Sequence, residues 1–169
     1  MKSIFSFKIY IILISIIIGI SSCNSSKIPN QNTSQTSEKD KIEFKETLQK
    51  HLDAVTNRDI ETLKSTLHPN GKMYLMLPDE SIKTTTKEFV EYHTEWFKYT
   101  NWTFETEILY TEIGENSGLG VIQIIYREAE RNGKPYFNRM CVSYTLEKFE
   151  NKWYIIADHA STIEKTKSE

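Results

Sequence analysis

From Trp102 to Thr162 the chain alternates with a period of two, and turn signals at Gly114–Gly118, Asn132-Gly133 and Asn151-Lys152 divide that alternation into four long strands. These are Trp102–Ile113, Leu119–Glu130, Pro135–Phe149 and Trp153–Thr162. Tight turns between the last three predict an antiparallel meander, and Asn132-Gly133 is the strongest hairpin signal in the chain. Because successive side chains of a strand point to opposite faces, residue parity separates the two faces of the sheet. Even positions include Ile122, Ile124, Tyr126, Val142, Tyr144 and Asp158, and odd positions include Val121, Ile125, Phe137, Cys141, Trp153 and Ile155. Both faces are largely apolar, so neither can be left to water. Helices can cover one. The other predicts a homodimer, since Phe137, Trp153 and Ile155 would otherwise form a bare apolar patch.

The helices come first. Phe44, Leu48, Leu52 and Val55 recur at helical spacing, Asp59 caps a second short run through Ile60, Leu63 and Leu67, and His68-Pro69-Asn70-Gly71 ends it. Met73 to Leu77 reads as a short strand followed by a loop at Pro78-Asp79. Thr85 and Glu88 make a capping box for a third helix carrying Phe89, Val90, His93, Trp96 and Phe97. Helices followed by a meander predict an α+β fold with the helices segregated to one face of the sheet.

The N-terminal part is not core. Ile9 to Ile20 is an apolar run after Lys2 and Lys8, shorter than the ~20 residues that span a bilayer, as in a signal-peptide core. The following Ser21-Ser22-Cys23 resembles the lipobox of bacterial lipoproteins. That resemblance implies cleavage after residue 22, and diacylglycerol and a palmitate-type acyl chain on Cys23. The alternatives are an uncleaved anchor helix or an ordinary secretory signal. The polar stretch 24–40 buries almost nothing and predicts a flexible tether with a reach of roughly 20–25 Å. One domain of ordinary size then occupies 41–163, with a disordered tail at 164–169. Asn24 offers no acidic retention signal, so in a host with two membranes the expected place is the outer membrane.

Losing Lys2 and Lys8 leaves 19 basic residues against 23 acidic ones, with no basic cluster, which argues against nucleic acid as a partner. Cys141 sits in a strand pattern, where a small thiol packs. The chain has no metal-ligand spacing, glycine-rich phosphate loop or G-x-S-x-G elbow, so neither a metal nor a cofactor is expected. His51 reads as a helix-face residue and His68 as a turn residue, while Arg127 and Arg139 read as cross-strand partners of acidic residues.

The order helix, helix, hairpin, helix and long meander resembles the nuclear transport factor 2 superfamily. The closing WYIIADHAS of Trp153–Ser161 resembles the W-x-I-V-x-x-H-x-S ending of its SnoaL-like branch, as does the pairing of Asn57-Arg58-Asp59-Ile60 with His68-Pro69-Asn70-Gly71. The likeness covers about Phe44 to Ser161 and implies a cone of three helices on a curved sheet, with a pocket at its open end. It also implies that the even face turns inward. Tyr126, Tyr144 and Asp158 would then surround the pocket with Tyr74, His93 and Trp96, over Ile124, Val142 and Ile156.

Two roles for Asp158 follow: a general base with a raised pKa, tyrosine hydroxyls steadying an oxyanion, or a carboxylate satisfied by those tyrosines. His159 falls on the convex side, and with only His93 inside, a dehydratase-type histidine pair is missing. The expected function is binding of a small apolar or amphipathic ligand, or a partner protein, outside the cytoplasm. The alternatives are a cofactor-free isomerase or cyclase using Asp158, and a purely structural dimerisation module. The anchor is open to a direct check: Cys23→Ala should leave an unprocessed precursor and abolish acyl labelling, and a variant processed and labelled as before would refute the lipobox reading.

Overall fold

The computed structural model describes residues 36–167. The apolar run, Cys23 and most of the expected tether lie outside the described residues, and no described helix is long and apolar enough to cross a membrane. Three helices, α1 (Glu38–Thr56), α2 (Ile60–Ser65) and α3 (Thr86–Trp96), pack on a six-stranded sheet. Its strands are β1 (Lys72–Met76), β2 (Ile82–Thr85), β3 (Trp102–Ile113), β4 (Ser117–Arg131), β5 (Lys134–Phe149) and β6 (Lys152–Lys165). They lie in the order β2-β1-β6-β5-β4-β3, antiparallel except where β1 runs parallel to β6. This is the expected α+β arrangement.

Each helix begins where a side chain can satisfy its free N–H groups. Ser37 caps α1 by accepting from Asp40 N, Asp59 caps α2 by accepting from Thr62 N, and Thr85 caps α3 by accepting from Glu88 N. Glu88 reaches back to accept from Thr84 N at 2.9 Å, one residue before the cap, and from the Thr85 hydroxyl at 3.2 Å. In the turns, Asn132 and Gly133 both adopt positive φ, at 54° and 80°, as a two-residue hairpin of the right twist requires. The β5–β6 turn has the same form one residue earlier than expected, at Glu150 and Asn151.

The ends of the domain differ from the sequence expectation. Helix α1 starts inside the stretch assigned to the tether. Thr36 Oγ1 donates to Ile113 O at 3.1 Å, and Asp40 pairs with Lys148 at the end of β5. These partners are distant in sequence, so local polarity could not reveal them. At the other end β6 continues through Glu164 and Lys165, paired with Arg139 and Asn138, so these two belong to the sheet, and Thr166 N, just beyond it, donates to Phe137 O.

A second difference concerns faces. In β6, Asp158 opposes Tyr144 and Ala157 opposes Thr145, but Ile155 opposes Leu146, leaving Ile156 as an extra residue. This bulge reverses the alternation on one side of it. Trp153 and Ile155 therefore turn inward and are buried, Trp153 meeting Phe44 edge-on at 5.2 Å, while Asp158 and Ala160 are also inside. The apolar patch predicted from Phe137, Trp153 and Ile155 thus loses two members to the core. The outer face instead carries Tyr74 with half-buried Val121, Ile125, Phe137 and Ile156, bordered by the ion pairs Arg127–Glu105 and Arg139–Glu164 that the sequence anticipates.

Phe44 and Leu48 of α1 reach down onto β4 because two of its inward positions carry no side chain. A Cβ at Gly118 would come within 2.5 Å of Phe44 Cε2, and one at Gly120 within 2.5 Å of Leu48 Cδ2. Phe44 and Leu48 are fully buried and have nowhere to retreat. Gly120→Val should therefore lower the free energy of unfolding by about 1–3 kcal/mol through overpacking, although valine is the better strand former. A urea midpoint unchanged or raised would refute this seam.

Candidate functional site

The helices close the sheet at the glycine seam and leave the other end open, where a cavity of about 620 Å³ lies between α3, the β1–β2 turn and the inner face of β3 to β6. Its buried wall includes Ile124, Val142, Tyr144 and Asp158 from the sheet, with His93 from α3. Its rim is exposed and polar, with Asp79, Asn101, Arg131 and Lys165. Between them stands an aromatic wall. Trp96 stacks on Trp102 at 4.5 Å and 16°, Phe104 and Tyr126 pack around the pair, and the Arg58 guanidinium covers Trp102 at 3.7 Å.

Of the positions expected from sequence, His93, Trp96, Ile124, Tyr126, Val142, Tyr144 and Asp158 line the cavity. Tyr74 and Ile156 do not. Tyr74 stands between the inward Met73 and Leu75 of β1 and is 44% exposed on the outer face. Ile156 is turned out by the β6 bulge. His159 is exposed on the outer face. His51 and His68 are both fully enclosed rather than peripheral. Tyr92, Asn138 and Tyr136 join the wall without having been singled out. Tyr92 was findable, because it lies three residues after Phe89 and four before Trp96 on the inward stripe of α3.

Asp158 is the chemical centre. It is 6% exposed, and Tyr144 and Leu75 are its neighbours across the two flanking strands. Its carboxyl group has no hydrogen-bond partner among the described residues, and burial alone pushes its pKa up to about 8. The tyrosines do not satisfy it. Tyr126 donates to Glu128 at 2.6 Å, and Glu128 also accepts from Arg131 at 3.0 Å. Tyr144 is buried beside Asp158, and burial with that neighbouring charge holds its hydroxyl well above the usual range.

The two nearby histidines are neutral. Burial pushes His93 down to about 4 and His51 to about 3. Their tautomers follow from their partners. His93 Nδ1 lies 2.9 Å from Phe89 O, which can only accept, so Nδ1 carries the proton and Nε2 a bare lone pair. Thr66 donates its hydroxyl proton to Leu63 O, so His51 Nδ1 must donate to Thr66 Oγ1 at 2.7 Å. Among the described residues no group of three His, Cys, Asp or Glu side chains could hold a metal ion.

The profile of the calcium/calmodulin dependent protein kinase II association domain matches residues 40–164. The chain belongs to that family. The superfamily likeness drawn from the sequence therefore holds, but the matching profile is the association domain's and not that of the SnoaL-like branch. No curated sequence matches significantly. Solved structures resemble this association-domain chain in fold. The association domain of C. elegans CaMKII is 21% identical, with a TM-score of 0.55 over 72% of this chain and 95% of that one. A ketosteroid isomerase-like protein from Erwinia carotovora atroseptica is 15% identical, with a TM-score of 0.65 over 76% and 99%. A protein with a cystatin-like fold from Caulobacter vibrioides is 16% identical, with a TM-score of 0.64 over 73% and 89%.

The buried acid gives stability a distinctive pH dependence. With a pKa raised from 3.8 to about 8, Asp158 keeps a proton in the folded state that the unfolded chain has released. Its contribution therefore falls as pH rises from about 4 to about 8 and is flat outside that window. His51 and His93 act in the opposite sense, destabilising as pH falls below their ordinary 6.5. Wild type should thus lose stability relative to Asp158→Asn across the window. Parallel stability curves for the two proteins would place Asp158 in water.

Proposed function

We propose that this association-domain relative binds a small apolar or amphipathic molecule in its open cavity without turning it over. In this reading acylated Cys23 holds it at the cell envelope, and the outer face of its sheet pairs two copies. The observation that carries the binding reading is the aromatic cavity of about 620 Å³ around one carboxyl group without a partner. That volume lies in the range typical of small-molecule sites. It also speaks against the purely structural alternative, which calls for a collapsed pocket. Pairing draws on the half-buried apolar stripe of Val121, Ile125 and Phe137, and on the association for which the family is named.

A second reading is a cofactor-free isomerase or cyclase. It rests on the same Asp158, because a carboxyl group with a pKa near 8 is poised to take up and return a proton near neutrality. The binding reading is preferred because no second group is poised with it. His93 and His51 titrate near 4 and 3, and Tyr144 well above 10.

Native mass spectrometry of the intact chain released gently from membranes reads both parts of the proposal. The expected species is a dimer carrying retained small molecules, and a ligand-free monomer at every concentration would overturn it. For a retained molecule, Asp158→Asn should change affinity by less than about tenfold under the binding reading. Conversion of that molecule, slowed roughly 10²- to 10⁴-fold by the same substitution, would instead establish the enzyme.

A further inference from the structure

The polar groups of the cavity wall are unequal in kind, and the inequality selects a ligand. The strongest acceptors on the wall are the Asp158 carboxyl and His93 Nε2, while the unpartnered Asn138 Oδ1 is enclosed. Donors on the wall include the Asn138 amide and the Tyr92, Tyr136 and Tyr144 hydroxyls, while the unpartnered Trp102 Nε1 is enclosed. What the wall lacks is a free cation. A ligand that brought only a carbonyl or a carboxylate would leave Asp158 and His93 Nε2 without a donor, and each such buried group is costly. An anion would also meet Asp158 with no cation beside it. Both histidines are neutral, Arg131 is held by Glu128, and Arg58 is spent on the far side of Trp102, donating to Tyr99 O and Trp102 O. Lys165 stands out on the rim.

A positively charged nitrogen fits what is present. It carries N–H donors for the acceptors, it pairs with a carboxylate, and it is attracted by the faces of Tyr92, Trp96 and Tyr126. We propose that the cavity recognises an organic ammonium group, with Asp158 as its counter-ion and an apolar body of the ligand against the aromatic wall. This deepens the small-molecule reading above and rests on it.

A proton is linked to that recognition. Asp158 is faced by Tyr144 of β5, Tyr92 and His93 of α3 and Leu75 of β1, with His51 behind and Asp79 at the rim. None of these is a cation near neutrality. The bound ammonium must therefore displace the Asp158 proton to solvent, and affinity rises with pH until the carboxylate forms unaided.

The test compares three probes of one shape, 2-phenylethylamine, 2-phenylethanol and phenylacetate, by calorimetry on the intact chain in detergent. At about pH 8.5 the amine should bind roughly five- to tenfold tighter than the alcohol, with phenylacetate weakest, and the preference should shrink toward about pH 6. Asp158→Asn should bring the amine down toward the affinity of the alcohol, and a cooperative thermal melt of the variant reports an intact fold. Alcohol or phenylacetate binding as tightly as the amine would overturn the ammonium assignment and leave the small-molecule reading standing. A preference that survives Asp158→Asn would overturn the role of Asp158 as counter-ion. Binding of none of the three would remove both proposals together.

Discussion

One extra residue in β6 reconciles two demands on the same strand. Near its start the strand must send Trp153 and Ile155 down onto α1, where they close the narrow end of the cone around Phe44. Farther along it must send Asp158 and Ala160 into the open end. A regular strand cannot do both, since residues 155 and 158 have opposite parity. The bulge at Ile156 absorbs the difference. Without it, either the core would lose its tryptophan or the cavity would lose its acid.

The rest of the architecture follows from where the helices can approach. α1 comes down on β4 at Gly118 and Gly120, and the sheet is sealed there by Phe44 and Leu48. Toward the other end the inward residues become large and aromatic, and α3 stands off from them. Trp96 stacks on Trp102 instead of interleaving with it. The space between is the cavity. An acid placed on that wall is stripped of water by its neighbours yet given no partner by them. Its ionisation is therefore set by burial alone.

Much of this was legible in the sequence, and the parts that were not share a cause. Periodicity gave the four long strands, and Asp59, Thr85 and Asn132-Gly133 marked element ends because caps and turns are local chemistry. Parity assigned Ile124, Val142, Tyr144 and Asp158 to one face correctly. It failed for Trp153 and Ile155, and placed Ile156 inside, because a bulge is set by the partner strand and leaves no mark on a single segment. The inward assignment of Tyr74 failed because Met73 and Leu75 occupy the inner positions of that short strand. The first turn of α1 was hidden for a related reason. Its ties run to Ile113 and Lys148, far along the chain. His51 was visible as a helix residue, but that it would be buried behind the site depended on β5, which brings Tyr144 to within 5.5 Å of its ring.

The point at which the chain enters the domain has a geometric consequence. Thr36 and Asp40 are fastened beside the ends of β3 and β5, whereas the cavity opens at the opposite ends of those strands, beyond Trp102 and Tyr136. With about 3.3 Å of rise per residue, strands of this length separate the two by several tens of ångströms. The chain therefore enters the domain at its closed end, like a stem at the base of a cup, and the first described residues leave the mouth of the cavity unobstructed.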